Sequence, residues 1–119
     1  MSNIKVKVCG VLNLEMVKQL LELELDFIGF IFYKKSPRYV SNHIAKNLLN
    51  IDFSNTRPVC VYVNPTKDYV LETSSYFDNP ILQFHFPTHS VYRGFLDKNH
   101  FAPLLVCVYL EPEVFHSLV

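Results

Sequence analysis

Three places in this 119-residue sequence carry side chains suited to chemistry. Cys9 is followed at once by Gly10, at the end of the β-branched run 4–9. A thiol that has lost its proton is a base or a nucleophile. A glycine beside it lets the backbone turn sharply next to a ligand. The same Cys-Gly pair also fits a small buried hydrophobe, the ordinary use of a free cysteine. Arg38 stands in a polar loop, 33–39, with Lys34, Lys35, Ser36 and Pro37. Its guanidinium fork can clamp a carboxylate through two bonds; a solvated loop arginine is the plainer alternative. Gln83 and His85 are two residues apart, so on a strand they point the same way. They face either a bound substrate or a core in which both are satisfied.

These residues need a frame. Apolar runs without alternation at 27–32, 58–63, 81–85 and 104–109 read, with 4–9, as five strands. Such runs mark strands buried on both faces, as in a parallel sheet. Between them lie helical patterns at 14–24, 42–50, 67–75 and, more weakly patterned, 91–98, with a further helix beginning at 111–118. Asn13 and Ser41 are suited to cap the first two helices. Leu14, Val17, Leu20 and Leu21 recur at helical spacing, and Ala45, Leu48 and Leu49 make the buried face of the second helix. Asn64-Pro65 and Asn79-Pro80 are turn signals.

Strand and helix alternate five times, which implies right-handed crossovers and an all-parallel sheet. Two architectures fit: a five-stranded doubly wound domain, or a stretch of a (β/α)₈ barrel. A complete barrel takes about 200 residues at the least, so length favours the first. In both, the active site lies at the carboxyl ends of the strands. Cys9, the loop of Arg38, and His85 all fall at such ends.

Composition narrows the function. Half of the residues are hydrophobic and 14% are aromatic, enough for a substantial core and unlike a disordered chain. Eleven basic residues balance eleven acidic ones. That balance argues against a nucleic-acid or membrane partner, since both select a basic surface. No apolar run reaches the roughly 18 residues of a membrane span, and residues 1–8 lack the pattern of a signal peptide. A cytoplasmic, single-domain protein is expected. Cys9, Cys60 and Cys107 are odd in number and widely spaced, which argues against a disulfide framework or a zinc site.

Four segments together resemble phosphoribosylanthranilate isomerase, a (β/α)₈ barrel family of tryptophan biosynthesis. They are Lys7-Val8-Cys9-Gly10-Val11-Leu12-Asn13; GFIFYKKSPRYVS at 29–41; Cys60-Val61-Tyr62-Val63-Asn64; and Gln83-Phe84-His85-Phe86. They occur in the family's order at about its spacing, and the second is the most specific. The resemblance is clear for residues 4–86 and implies an incomplete barrel of about five of the eight units.

It also implies an Amadori rearrangement of N-(5′-phosphoribosyl)anthranilate to the 1-deoxyribulose 5-phosphate. An acid protonates the furanose ring oxygen and opens the ring; a base then removes the C2′ proton. By resemblance the base is Cys9, whose surroundings should favour the thiolate. Arg38 holds the anthranilate carboxylate, and Gln83 and His85 belong to the substrate site. Neither metal nor organic cofactor is called for. The family's acid is an aspartate ending a sixth strand, and its phosphate loops follow strands seven and eight. The sequence carries neither; Asp97, its last aspartate, falls in a helical segment instead.

Four positions depart from the family pattern: Leu12 replaces a threonine, and Cys60, Phe86 and Glu24 replace glycines. Cys60 and Phe86 are expected to narrow the pocket, and Glu24 to lose the freedom of positive φ. An open barrel piece exposes sheet edges, so self-association or a complementing chain is expected, with 104–110 (LLVCVYL) as the adhesive edge. Three readings stand: an isomerase or its N-terminal piece, an inactive relic, and a small α/β interaction module.

Overall fold

The computed structural model describes residues 5–85, together with the backbone of 104–106. Its elements run β1 (Lys7–Cys9), α1 (Leu14–Leu21), β2 (Phe27–Ile31), α2 (Asn42–Lys46), β3 (Arg57–Val63), α3 (Lys67–Ser74), β4 (Ile81–His85) and β5 (Leu104–Val106). All strand pairs are parallel, and their spatial order is β1-β2-β3-β4-β5. A doubly wound sheet reverses its strand order at a switch point; this sheet never does. Sequential order is the order of a barrel wall, which decides between the two architectures that strand–helix alternation leaves open.

Apolar side chains are buried on both faces of the sheet, as expected of parallel strands. Toward the helices, Ile28, Phe30, Phe32, Cys60, Tyr62, Leu82 and Phe84 pack with Val17, Ala45, Leu48 and Val70. The rings are layered: Phe30 stacks on Phe77 at 4.9 Å, Phe32 on Tyr62 at 5.7 Å, and Tyr62 on Phe84 at 5.6 Å. Burying each such ring contributes about 1.5–3 kcal/mol. The Tyr62 hydroxyl lies 2.7 Å from Thr73 Oγ1, which donates to the Tyr69 carbonyl at 2.8 Å, so the polar tip is satisfied inside the core. The opposite face carries a smaller cluster of Ile31, Val59, Val61 and Ile81, with Cys9, Phe27, Tyr33 and Val63 packed beside it. That face becomes the inside of a barrel.

The helices start where side-chain caps permit. Asn13 accepts from the Met16 amide at 2.9 Å, Ser41 from that of Ile44 at 3.3 Å, and Thr66 from that of Tyr69 at 3.2 Å. Two helices end earlier than expected. α1 stops at Leu21, with Leu23 and Glu24 closing the turn onto the Leu20 and Leu21 carbonyls. α2 stops at Lys46, and its last turns tighten to i→i+3 bonds such as Leu48 N to Ala45 O. The tighter winding keeps Ala45 and Leu48 inside but turns Leu49 out, 42% exposed, contrary to its place in the expected buried face.

β1 begins at Lys7 rather than at residue 4: Val6 already bonds through its amide to the Asp26 carboxylate at 2.7 Å. The expected helices at 91–98 and 111–118 lie outside the described residues, as do Phe86, Asp97, Cys107 and strand residues 107–109. Among the described residues no helix is long and apolar enough to cross a membrane.

Candidate active site

Glycines shape the end of β1. Cys9 pairs in register with Gly29 of β2, and the Gly29 carbonyl accepts from both Gly10 N (3.1 Å) and Val11 N (3.2 Å). A Cβ on residue 29 would lie 2.8 Å from Cys9 Sγ, 3.0 Å from Lys7 Cε and 3.3 Å from Cys9 Cα. The missing side chain is therefore the space that the Cys9 thiol and the Lys7 stem occupy. Gly10 turns the chain at φ +86°, and a Cβ there would stand 2.6 Å from Arg38 Cδ and 2.9 Å from its Nε. The arginine lies directly over the glycine that follows the cysteine.

Arg38 is held there by its loop. The Ser36 amide donates to the Tyr33 carbonyl at 3.0 Å, Ser36 Oγ accepts from the Arg38 amide at 3.1 Å, and Tyr39 N returns to Ser36 O at 3.2 Å. Val40 N then bonds Ile31 O at 2.8 Å and rejoins the sheet. Ser36 is buried, so this turn is fastened from inside. Sequence reasoning placed Ser36 in a solvated loop; its spacing two residues before the arginine, which suits a hydroxyl-to-backbone turn, was the available signal.

On the same inner face, Gln83 and His85 are buried at the end of β4, with Gln83 Nε2 3.0 Å from His85 Nε2. Lys7, two residues before Cys9 and on its face of the strand, donates from Nζ to Gln83 Oε1. The structure thus brings Cys9 and Arg38 together around Gly10, and Gln83 and His85 together through Lys7. Gly29 is the neighbour common to Cys9 and Lys7. Burial, reinforced by the Lys7 charge, lowers the His85 pKa to about 4. Lys7 belongs to this cluster, although the motif alone gave it no role; alternation along β1 points to it.

Cys60 corrects an expectation. It faces the helices among Phe30 and Tyr62, away from Cys9, and so does not narrow the pocket. Burial pushes its thiol up to about 12, and it is an inert core residue. Glu24 does take positive φ, at 55°, in a place where glycine would be unstrained.

Two concavities flank the sheet. One of about 470 Å³ lies between the loops after β2 and β3, lined by Tyr33, Lys34, Lys35, Asn64 and Tyr69 among others. A larger one, about 690 Å³, opens at the amino ends of β3 and β4 beside Arg57 and Asn79, far from Cys9. The first is at the edge where parallel folds do their chemistry.

The family model of N-(5′-phosphoribosyl)anthranilate isomerase matches residues 6–102. The chain belongs to this family. The N-(5′-phosphoribosyl)anthranilate isomerase of Nitrosomonas europaea is 40% identical over 82 residues, which are 69% of this chain and 39% of that protein. A phosphoribosylanthranilate isomerase solved with reduced 1-(o-carboxyphenylamino)-1-deoxyribulose 5-phosphate superposes with a TM-score of 0.68 at 28% identity, over 93% of this chain and 56% of that one. The isomerase of Thermotoga maritima gives a TM-score of 0.62 at 30% identity, over 87% and 48% respectively. The chain thus spans about two fifths of that curated isomerase and about half of each solved one. Its fold is part of a (β/α)₈ barrel, with both outer strands, β1 and β5, at open edges among the described residues.

Proposed function

We propose that this chain carries the base and the carboxylate clamp of an N-(5′-phosphoribosyl)anthranilate isomerase. The observation that carries the reading is the seating of Arg38 on Gly10 beside Cys9. A guanidinium there binds the anthranilate carboxylate through two bonds, and so fixes the sugar C2′ against the Cys9 sulfur. Cys9 removes that proton, which turns the ring-opened Schiff base into an enolamine and then the ketone. Gln83 and His85 complete the wall of the substrate site. The substrate is a small sugar phosphate bearing an aromatic carboxylate.

The proton donor for ring opening is, on this reading, an aspartate of a further β-α unit. Unpaired outer strands bind other strands, so such a unit in a complementing polypeptide has an edge to join, and self-association uses the same edges. The free thiols Cys9 and Cys60 suit a reducing compartment, the cytoplasm.

The test is isomerase turnover, followed by loss of the substrate's anthranilate fluorescence, for the purified chain alone and with the remaining barrel units supplied in trans. Turnover that disappears in Cys9→Ala supports the reading. A cooperatively folded chain that stays inactive in both conditions overturns it, and leaves an inactive relic or an interaction module.

A further inference from the structure

The inner face holds a polar relay that the proton-transfer chemistry leaves unused: Lys7, Gln83 and His85. Lys7 crosses from β1 to β4 through the volume that a side chain on residue 29 would fill. An ammonium has three donors and no acceptor. The Gln83 atom that Lys7 bonds must therefore be the amide oxygen; reversing the amide would set NH₂ against NH₃⁺. With the oxygen held by Lys7, the amide nitrogen is the end 3.0 Å from His85 Nε2. A donor there requires a lone pair on Nε2, and a neutral imidazole with a bare Nε2 carries its proton on Nδ1.

We propose that Lys7 is a positioning residue that locks the Gln83 amide and, through it, holds His85 as the neutral Nδ1–H tautomer at the end of β4. The inference deepens the isomerase reading and rests on it for the use to which the lock is put. An imidazolium beside the substrate would compete with Arg38 for its anionic groups. A locked neutral ring leaves that charge to Arg38. Burial and the nearby Lys7 ammonium both disfavour the charged ring, in agreement with the lock.

The experiment is a long-range ¹H–¹⁵N spectrum of the full chain, labelled at its five histidines, at pH 7. His85→Gln identifies the His85 signals by their disappearance. The lock predicts a protonated Nδ1 and a bare Nε2 at His85. In Lys7→Met the ratio of Nδ1–H to Nε2–H should fall about tenfold, the effect of losing one hydrogen bond, while Lys7→Arg, still a donor, should retain it.

A wild-type His85 found as Nε2–H or as imidazolium overturns the proposal without any variant having to fold. An unchanged signature in folded Lys7→Met also overturns it. Turnover, measured separately, keeps the two ideas apart. An Nδ1–H signature in a chain inactive even with its complement sinks the isomerase reading alone. Turnover with an Nε2–H ring sinks the lock alone.

Discussion

Gly10→Ala tests whether the turn after Cys9 exists to seat Arg38. Two costs arise, and they fall on different observables. The residue sits at φ +86°, where an L side chain costs roughly 1–2 kcal/mol of folding energy. The stiffer unfolded chain of alanine returns about 0.5 kcal/mol. The new Cβ, 2.6 Å from Arg38 Cδ, forces the side chain about 1 Å outward to ordinary contact distance. Arg38 is the end of a flexible side chain, so that shift costs the fold little. It does carry the guanidinium away from Cys9. The net loss of stability is about 1 kcal/mol, a fall of about 0.5 M in the urea midpoint at m of roughly 2 kcal/mol per M. The loss in anthranilate affinity is larger, about 30-fold, the scale of one charge-assisted hydrogen bond. Urea unfolding followed by circular dichroism reads the first quantity, and quenching of anthranilate fluorescence reads the second. Arg38→Ala should match the affinity loss while leaving the midpoint nearly unchanged. The reasoning fails if Gly10→Ala binds anthranilate like the parent, or if Arg38→Ala is as unstable as Gly10→Ala.

Glu24→Gly should stabilise the chain by about 0.5–1 kcal/mol, because relief of the φ 55° strain at this exposed position exceeds the entropy that glycine adds to the unfolded chain; an unchanged or lower melting temperature contradicts this. His85 binds its proton at about pH 4 when folded and near 6.5 when unfolded, so its contribution is complete above pH 6.5 and is lost as pH falls toward 4. The gap sets a ceiling of about 3 kcal/mol, and solvent screening brings the expected loss nearer 2 kcal/mol; His85→Gln should flatten the melting temperature between pH 7 and 5, and an unaltered pH slope refutes the assignment. With its thiol pushed up to about 12, Cys60 is thiolate in about one molecule in ten thousand at pH 8. Iodoacetamide should therefore leave Cys60 untouched until the chain unfolds, and mass mapping that finds it modified in native protein, at the pace of Cys9, rules the core placement out.

Much of the frame was legible because the strands are buried on both sides. β2, β3 and β4 form from apolar runs with no alternation, and such runs announce themselves. Asn13 and Ser41 were legible as caps because only a short polar side chain reaches back to the amide three residues on. Strand order was not legible in the alternation, which barrels and doubly wound sheets share; the resemblance of the four segments to a barrel family supplied it, and the pairing agrees. The end of α2 was missed because propensity carries no record of a turn that tightens under packing.

At the candidate site, Cys9, Arg38, Gln83 and His85 stood out by their strand-end positions and by the family resemblance, not by residue type alone. The role of Gly29 did not, since empty volume has no residue type. Cys60 was misjudged because alternation along β3 was not used to ask which face it took.

The strand order has a consequence for synthesis. Lys7 pairs with Phe27, Phe27 with Arg57, Val59 with Ile81, and Leu82 with Leu104, separations of 20, 30, 22 and 22 residues. Every inter-strand partner is thus the next strand to leave the ribosome, and closing each loop costs nearly the same entropy as the last. At about 5–20 residues per second, a new strand arrives every few seconds and finds its neighbour already laid down. The wall can assemble in the order in which it is translated, each strand docking on the one made just before it. The one distant pairing a barrel needs, between its first strand and its last, is the step that this stretch of wall does not depend on to take shape.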